Sequence, residues 1–273
     1  MTASICLPIK CTIELSRILL TILWSIISRP PMQFSVIFPA YEEGPNLRAN
    51  LPKIISIIKK LDVSFEILVV DTVTAKDDTP EICRQHPSVR YMNRAGGNDY
   101  GDAIRTGIQA STGDYIVIMD ADSSHDPNFI PKMWGERNNA DCIIASRYIA
   151  GGTTDNSLPL YLMSRILNWT YRLYLNIPAA DVSNSFRLYN GNQLRSLHLT
   201  SSHFDIVEEI LIKLFIAYPN MRLLEIPSSF HRRNQGKTKR NLLTFIFSYL
   251  KTMRKLKSFQ VRAKHATLKQ SAF

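Results

Sequence analysis

Tyr115-Ile-Val-Ile-Met119 is an uncharged, β-prone run that stops abruptly at Asp120-Ala121-Asp122. Such a run reads as a strand buried on both faces, the mark of a parallel sheet covered by helices. Two carboxylates one residue apart cannot turn back into that core without a large desolvation cost. They must lie at the strand's exposed C-terminal end, where open α/β sheets bind ligands. Two such oxygens can hold a hard divalent cation, which can in turn hold a diphosphate. Asp-x-Asp is common, however, and a solvated turn with Asp126-Pro127 capping the next helix explains it too.

The chain before this run alternates in the same way. Phe34 to Phe38 is a strand by composition, followed by the loop Pro39-Ala-Tyr41-Glu42-Glu-Gly-Pro45. A helix runs from Asn46 to Leu61, with Leu47, Leu51, Ile54, Ile55 and Ile58 on one face; Pro52 predicts a kink, or a start at Asn50. Glu66 to Asp71 is the second strand, Asp78-Thr-Pro80 opens a short helix, and Val89 to Met92 is a third strand. This order specifies a parallel sheet with right-handed crossovers. Its strand ends carry Glu42, Asp71 and Asp120/Asp122, and their convergence on one rim is the physical argument for a site. Gly96, Gly97 and Gly101 flank a helix start, where backbone can approach a ligand and free N–H groups can meet an anion. A plain glycine-rich turn is the bland alternative.

Further on, Cys142 to Ala145 is another buried strand, and residues 158 to 175 form a helix carrying Arg165 and Arg172. A polar loop from Asp181 enters a short strand ending at Tyr189. Residues 204 to 217 carry Asp205, Glu208 and Glu209 into a helix, and Leu223 to Pro227 is a strand. The basic loop His231 to Arg240 can close over a diphosphate through bidentate arginine bonds, or form a nucleic-acid patch. Leu242 to Leu250, then Lys251, Arg254, Lys255 and Lys257, fits a helix lying on a membrane's cytoplasmic face. Residues 261 to 273 read as disordered, and 1 to 33 as a helical segment, interfacial or partly buried. Its clean apolar run is too short for a comfortable membrane span. Three parts follow: residues 1–33, a catalytic domain over 34–240, and a basic helix with a tail over 241–273.

The net charge of +10 points to anionic partners. Nucleic acid is disfavoured, because the basic residues come without aromatic platforms or a recognised motif. Cys6, Cys11, Cys83 and Cys142 are scattered, which suits a reducing compartment. The histidines show no zinc-ligand spacing.

Together, Pro39-Ala-Tyr-Glu42, Val69-Val-Asp71, Gly101-Asp-Ala-Ile-Arg-Thr-Gly107, Thr112-Gly-Asp-Tyr115 and Met119-Asp-Ala-Asp-Ser-Ser-His125 resemble family-2 inverting glycosyltransferases of the GT-A fold. Ala145-Ser-Arg-Tyr148, Ser164-Arg165, Asp181-Val-Ser-Asn-Ser-Phe-Arg-Leu-Tyr189, Ile226-Pro227 and Arg233-Asn-Gln-Gly-Lys-Thr-Lys239 look like dolichol-phosphate mannose and glucose synthases. The resemblance spans residues 34 to 255. It implies a Rossmann-like, mostly parallel sheet flanked by helices, and transfer from an NDP-sugar to a polyprenyl phosphate with Mg²⁺ or Mn²⁺. Pro39, Tyr41, Glu42, Asp71, Gly101, Arg105 and Ala121 would border the donor. Asp120, Asp122 and Ser124 would hold the metal and diphosphate. Arg165, Ser185 and Arg187 would grip the lipid phosphate, and Arg233 and Lys239 would close on the donor. Glu208 or Glu209 would match an acidic residue of the family's late helix. Departures are Thr72 after Asp71, Asn184 in place of a glycine, and a longer stretch from Gly96 to Gly101.

A polyprenyl phosphate is already anionic and needs positioning. A hydroxyl acceptor would need a general base, for which Asp181 and Glu208 are the candidates. Alternatives are a family-2 enzyme with a saccharide acceptor and an inactive nucleotide-sugar binding module. Peripheral attachment to a membrane, with a possible anchoring subunit, completes the expectation.

Overall fold

The computed structural model describes residues 32–231 and 242–270. The expected N-terminal helical segment lies outside the described residues up to position 31, as does the basic loop over 232–241. The chain runs β1 (Phe34–Pro39), α1 (Gly44–Lys59), β2 (Phe65–Asp71), α2 (Thr79–Arg84), β3 (Val89–Asn93), α3 (Tyr100–Ala110) and β4 (Tyr115–Ile118). Then come α4 (Ile130–Gly135), β5 (Cys142–Ser146), β6 (Thr153–Thr154), α5 (Leu158–Leu175), β7 (Arg187–Asn190) and α6 (Gly191–Arg195). The described chain closes with α7 (Ile206–Ala217), β8 (Leu223–Pro227), β9 (Ser229–Phe230) and α8 (Leu242–Gln270).

One seven-stranded sheet organises these elements, in the order β3-β2-β1-β4-β7-β5-β8. β1 lies between β2 and β4 and is parallel to both, with Phe34 opposite Phe65 and Tyr115. Strand order therefore reverses direction between β1 and β4, the point at which open α/β sheets leave a crevice. β7 is antiparallel to both of its neighbours, β4 and β5. β6 and β9 form a separate small parallel pair, with Thr153 opposite Ser229 and Thr154 opposite Phe230.

Two apolar layers cover the sheet. Phe34, Val36 and Phe38 pack with Leu47, Leu51, Ile54 and Ile58 of α1 on one face. Ile37, Leu68 and Val70 pack with Ile104 and Ile108 of α3 on the other, where α5, α7 and α8 add their own buried side chains. The buried row of α1 explains why Pro52 does not break it. Pro52 is exposed, so the carbonyl that its missing N–H leaves unbonded is open to water. The tail also differs from expectation, because α8 continues in one helix through Gln270.

Gly107 fixes the distance between α3 and the sheet. A Cβ there would sit 2.5 Å from Ile37 Cγ2 and 3.2 Å from Val70 Cγ2. Gly107→Val should therefore destabilise the fold by about 1–3 kcal/mol through overpacking. Gly135→Ala should not lower the midpoint, since its methyl meets nothing within 4 Å and alanine favours the helix over glycine. Urea unfolding of both variants makes the comparison.

Candidate active site

The parallel register brings the C-terminal ends of β1, β2 and β4 to one edge. Glu42, Asp71, Asp120 and Asp122 follow those ends. β5 ends at the same edge, since it runs antiparallel to β7 and β7 runs antiparallel to β4.

Asp120 is held from three sides. Its Oδ1 accepts from Tyr100 Oη at 2.9 Å and its Oδ2 from Ser185 Oγ at 3.1 Å. Its N–H donates to His125 Nδ1 at 3.1 Å. That bond requires Nδ1 to be unprotonated, so the Nε2–H donates to Asn184 Oδ1 at 3.1 Å. Burial lowers the His125 pKa and keeps the ring neutral, outweighing the nearby Asp120 and Asp122 charges. Asn184, the departure from glycine, joins two parts of the rim, since its Oδ1 accepts from His125 and its Nδ2 donates to the Ala145 carbonyl.

Asp122 is buried beside it, and its Oδ1 accepts from the Ser124 N–H at 3.0 Å. Ser123 between them adopts a left-handed φ of 67° and accepts from Asn50 Nδ2 at 2.5 Å. Among the described residues, the Ser124 Oγ is buried with no hydrogen-bond partner. An unsatisfied buried hydroxyl calls for a ligand, and beside two carboxylates a hard cation suits it. Among the described residues no three His, Cys, Asp or Glu side chains converge on one point. Oxygens from a substrate or water would have to complete such a coordination shell. The Ser124 carbonyl accepts from the His231 N–H at 2.8 Å, which ties the start of the basic loop to these residues. A cleft of ≈ 170 Å³ opens here, lined by Asp120, Ala121, Ser123 and His231 and by Asn50 of α1.

Pro39 is the last residue of β1, one beyond the strand expected to end at Phe38, and Tyr41 and Glu42 are exposed at the rim. Lys76 Nζ lies 4.2 Å from the centre of the Tyr41 ring and 2.5 Å from its hydroxyl. Arg165 is exposed and donates to the Tyr148 carbonyl at 3.1 Å. Arg233 and Lys239 lie outside the described residues.

Seven of the residues expected at the site have partners within the protein. The Asp71 carboxylate turns inward, accepting from the Thr72 N–H at 2.7 Å and from Tyr91 Oη at 3.2 Å. Gly101 approaches protein and not a ligand: its N–H donates to Ser202 O at 2.6 Å, and a Cβ would strike that backbone. Arg105 is spent on the Ser201 carbonyl and Asp102. Ser185 orients Asp120, as above. Arg187 is 0% exposed, with its guanidinium on the Val182 and Val207 carbonyls. Asp181 is locked to Arg147, with Nε to Oδ2 at 2.8 Å and Nη2 to Oδ1 at 2.7 Å. Glu208 is buried among Arg187, Asp205 and Tyr171, while Glu209 binds Lys213 and the Thr200–Ser201 backbone.

Arg147, Arg94, Tyr100 and His125 are residues whose importance the sequence did not reveal. Burial disfavours the Arg147 charge, but Asp181 more than offsets this and raises its pKa. The guanidinium lies 4.9 Å from the Tyr148 ring and 5.3 Å from the Phe230 ring. Its position directly after a buried strand, in Ser-Arg-Tyr, is the signal that could have found it.

Burial is the main cause that raises the Glu208 pKa to about 7, from an ordinary 4.5. Between those values the folded protein keeps a proton that the unfolded chain has released. Its stability contribution is full below 4.5 and falls as pH rises through 7. Glu208→Gln should remove this loss, worth on the order of 3 kcal/mol. Urea midpoints across that pH window, variant against wild type, check it.

Residues 35–196 match the family model described as glycosyl transferase family 2. The chain is 31% identical over 242 residues to the dolichol-phosphate mannosyltransferase of Pyrococcus furiosus, covering 84% of this chain and 65% of that protein. It is 26% identical to the dolichol-phosphate mannosyltransferase of Saccharomyces cerevisiae (87% and 91% covered). It is 27% identical to the undecaprenyl-phosphate mannosyltransferase of Micrococcus luteus (76% and 87% covered). The fold resembles glucosyl-3-phosphoglycerate synthase of Mycobacterium tuberculosis in complex with phosphoglyceric acid, at TM-score 0.62 and 18% identity, covering 83% and 79% of the two chains. The same enzyme in complex with Mn²⁺, UDP and glucosyl-3-phosphoglycerate superposes at TM-score 0.59 and 16% identity, covering 85% and 80%.

Proposed function

The chain belongs to glycosyl transferase family 2, and on that premise we propose that it moves a hexosyl group from a nucleoside diphosphate sugar, of the GDP-mannose or UDP-glucose type, to a polyprenyl phosphate such as dolichyl phosphate. That it is a glycosyltransferase follows from the family and from its relatives. The acceptor class is carried by the state of the two carboxylates suited to deprotonate a hydroxyl. Asp181 is paired with Arg147, and Glu208 is buried near Arg187 and Tyr171. A hydroxyl acceptor would find neither as its base. A phosphate monoester is anionic at neutral pH and needs only to be placed. The relatives' names, with dolichol-phosphate and undecaprenyl-phosphate acceptors, support the same reading.

Pro39, Tyr41, Glu42 and Ala121 border the donor in this reading. A Mg²⁺ or Mn²⁺ ion held by Asp120, Asp122 and Ser124 would neutralise charge growing on the leaving diphosphate. Tyr100 and Ser185 fix the Asp120 carboxylate, and each of its oxygens keeps a second lone pair for a ligand. Arg165 spends one N–H on the Tyr148 carbonyl and offers its others to the acceptor phosphate. An acceptor oxygen attacks the anomeric carbon as the bond to the diphosphate breaks, with inversion. Arg233 and Lys239 are assigned to the diphosphate by family resemblance alone. Peripheral attachment fits this chemistry, since no helix among the described residues is long and apolar enough to cross a membrane.

A screen of NDP-sugars with polyprenyl phosphate and Mg²⁺ or Mn²⁺, read by mass spectrometry, tests the activity; no glycolipid from any donor would overturn it. Asp122→Ala should reduce turnover by on the order of a hundredfold or more, with an unchanged circular dichroism spectrum. Arg165→Ala should raise KM for the lipid phosphate by about tenfold, and leave KM for the donor unchanged. Equal effects on both substrates would remove Arg165 from the acceptor site.

A further inference from the structure

The loop leading into α7 is anchored by three helices, α3, α7 and α8. The Thr200 and Ser201 N–H groups donate to the Glu209 carboxylate of α7 at 3.0 and 2.6 Å. The Ser201 carbonyl accepts from Arg105 of α3, and the Ser202 carbonyl from the Gly101 N–H at 2.6 Å. Lys255 of α8 donates to Ser201 Oγ at 2.7 Å and to Asp205 Oδ2 at 3.2 Å. Connecting loops are ordinarily the mobile, solvated parts of a fold. Restraint from so many sides is the support expected beneath a residue that must meet a ligand in one position.

What this loop presents is an aromatic ring. Phe204 is 40% exposed. It stacks on Tyr100, with ring centres 4.2 Å apart and planes 18° from parallel. Tyr100 in turn donates to Asp120 Oδ1 at 2.9 Å. Burial and the Asp120 charge push the Tyr100 pKa up, so the phenol keeps its proton and that bond. A single phenol ring therefore separates the exposed Phe204 from a carboxylate assigned to the diphosphate. Ligand sites combine a few polar groups with apolar and aromatic walls. Asp120, Asp122 and Ser124 are the polar groups here, and Phe204 is a wall.

We propose that Phe204 contacts the transferred sugar, as the platform for the apolar C–H face of the hexose; this rests on the transfer reading above and adds the residue that recognises the donor's sugar. A hexose carries hydroxyls around its ring edge and C–H groups on its faces. Removing such a face from water against an aromatic ring is favourable. In an NDP-sugar the hexose is bonded directly to the diphosphate, whereas a ribose separates the base from it. A ring one phenol away from Asp120 is placed for the nearer of the two. The opposite end of the rim has its own aromatic. Tyr41 follows β1, and Lys76, which follows β2, lies 4.2 Å from the centre of its ring. In the strand order those ends stand one and two strands from β4, about 5 and 10 Å away, the side suited to the base.

Calorimetry on the full chain with Mn²⁺ tests it, comparing GDP with GDP-mannose and UDP with UDP-glucose. In the pair that wild type binds, Phe204→Ala should raise Kd for the NDP-sugar about tenfold and leave Kd for the NDP unchanged. Equal loss for both would mean that the ring acts only through Tyr100 on Asp120, and would overturn the sugar contact, as would no loss for either. Phe204→Trp keeps a platform and should retain the NDP-sugar affinity. Its emission, taken as variant minus wild type, should change with the NDP-sugar and not with the NDP. The same response to both counts against the contact even if the alanine variant misfolds. A wild type that binds no NDP-sugar would sink the transfer reading and the contact together. Glycolipid made by wild type, beside an alanine variant of full NDP-sugar affinity, would sink the contact alone and leave transfer standing.

Discussion

A single buried arginine holds the rim together. Parallel strands that stop at one edge leave carbonyls there without ladder partners, and buried carbonyls must be bonded. Arg94 answers this at β1, β2 and the approach to α3. Its Nη2 reaches the Ala40 carbonyl, its Nε the Asp71 carbonyl at 3.1 Å, and its Nη1 the carbonyls of Asn98 and Asp99 at 2.9 and 3.0 Å. Burying a guanidinium is costly unless its N–H groups are satisfied, and here the partners are the strand ends themselves. Because Asp99 is fixed, its capping box with Asp102 starts α3 at Tyr100. Tyr100 then places its hydroxyl on Asp120. The charge on Arg94 therefore positions a carboxylate that it does not touch.

From the other side, Asp120 is held by the residues leading into β7. Ser185 bonds its carboxylate and Asn184 holds the histidine that bonds its backbone N–H. This is possible because β7 is wedged antiparallel between β4 and β5, which carries the loop before it to the rim. The wedge also settles Arg187. Side chains alternate along a strand, so Phe186 and Leu188 join the α1 layer while Tyr189 joins the opposite one. Arg187 goes with Tyr189 into the second layer, where the Val182 and Val207 carbonyls receive it.

The sequence was legible where a local pattern decides the outcome. Apolar runs ending in turns gave the strands, and helix α5 has the bounds 158 to 175 that its composition predicts. Asp120 and Asp122 were legible because an uncharged strand running into paired acids has one reasonable place to put them. The rest depended on tertiary pairing. A strand buried on both faces carries no polar alternation, so nothing near Arg187 said which layer it would enter. Asp181 looked like a free base because its partner, Arg147, is 34 residues distant. Glycine at 101 was read as room for a ligand, but the room is taken by the Ser201–Ser202 backbone. In each case the residue type was noted correctly and the neighbour was invisible.

The two sides of α5 differ in chemistry, and this bears on how an acceptor could be handled. The inner side of α5 offers Asn168 to Ser183 and Tyr171 to the α8 side, fixing the helix against the domain by polar and aromatic contacts. The outer side offers aliphatic side chains and a tryptophan. A polyprenyl phosphate is divided in the same way, with a tail that stays in hydrocarbon and a phosphate at the headgroup level. Extracting such a tail into water would cost about 0.8 kcal/mol for each CH₂ exposed, which no set of phosphate contacts could offset for a long chain. An enzyme that leaves the tail in place needs only a cation at headgroup height, connected to the reacting centre. On α5 the exposed Arg165 adjoins the exposed Ile166 in sequence and donates to the Tyr148 carbonyl, beside Arg147.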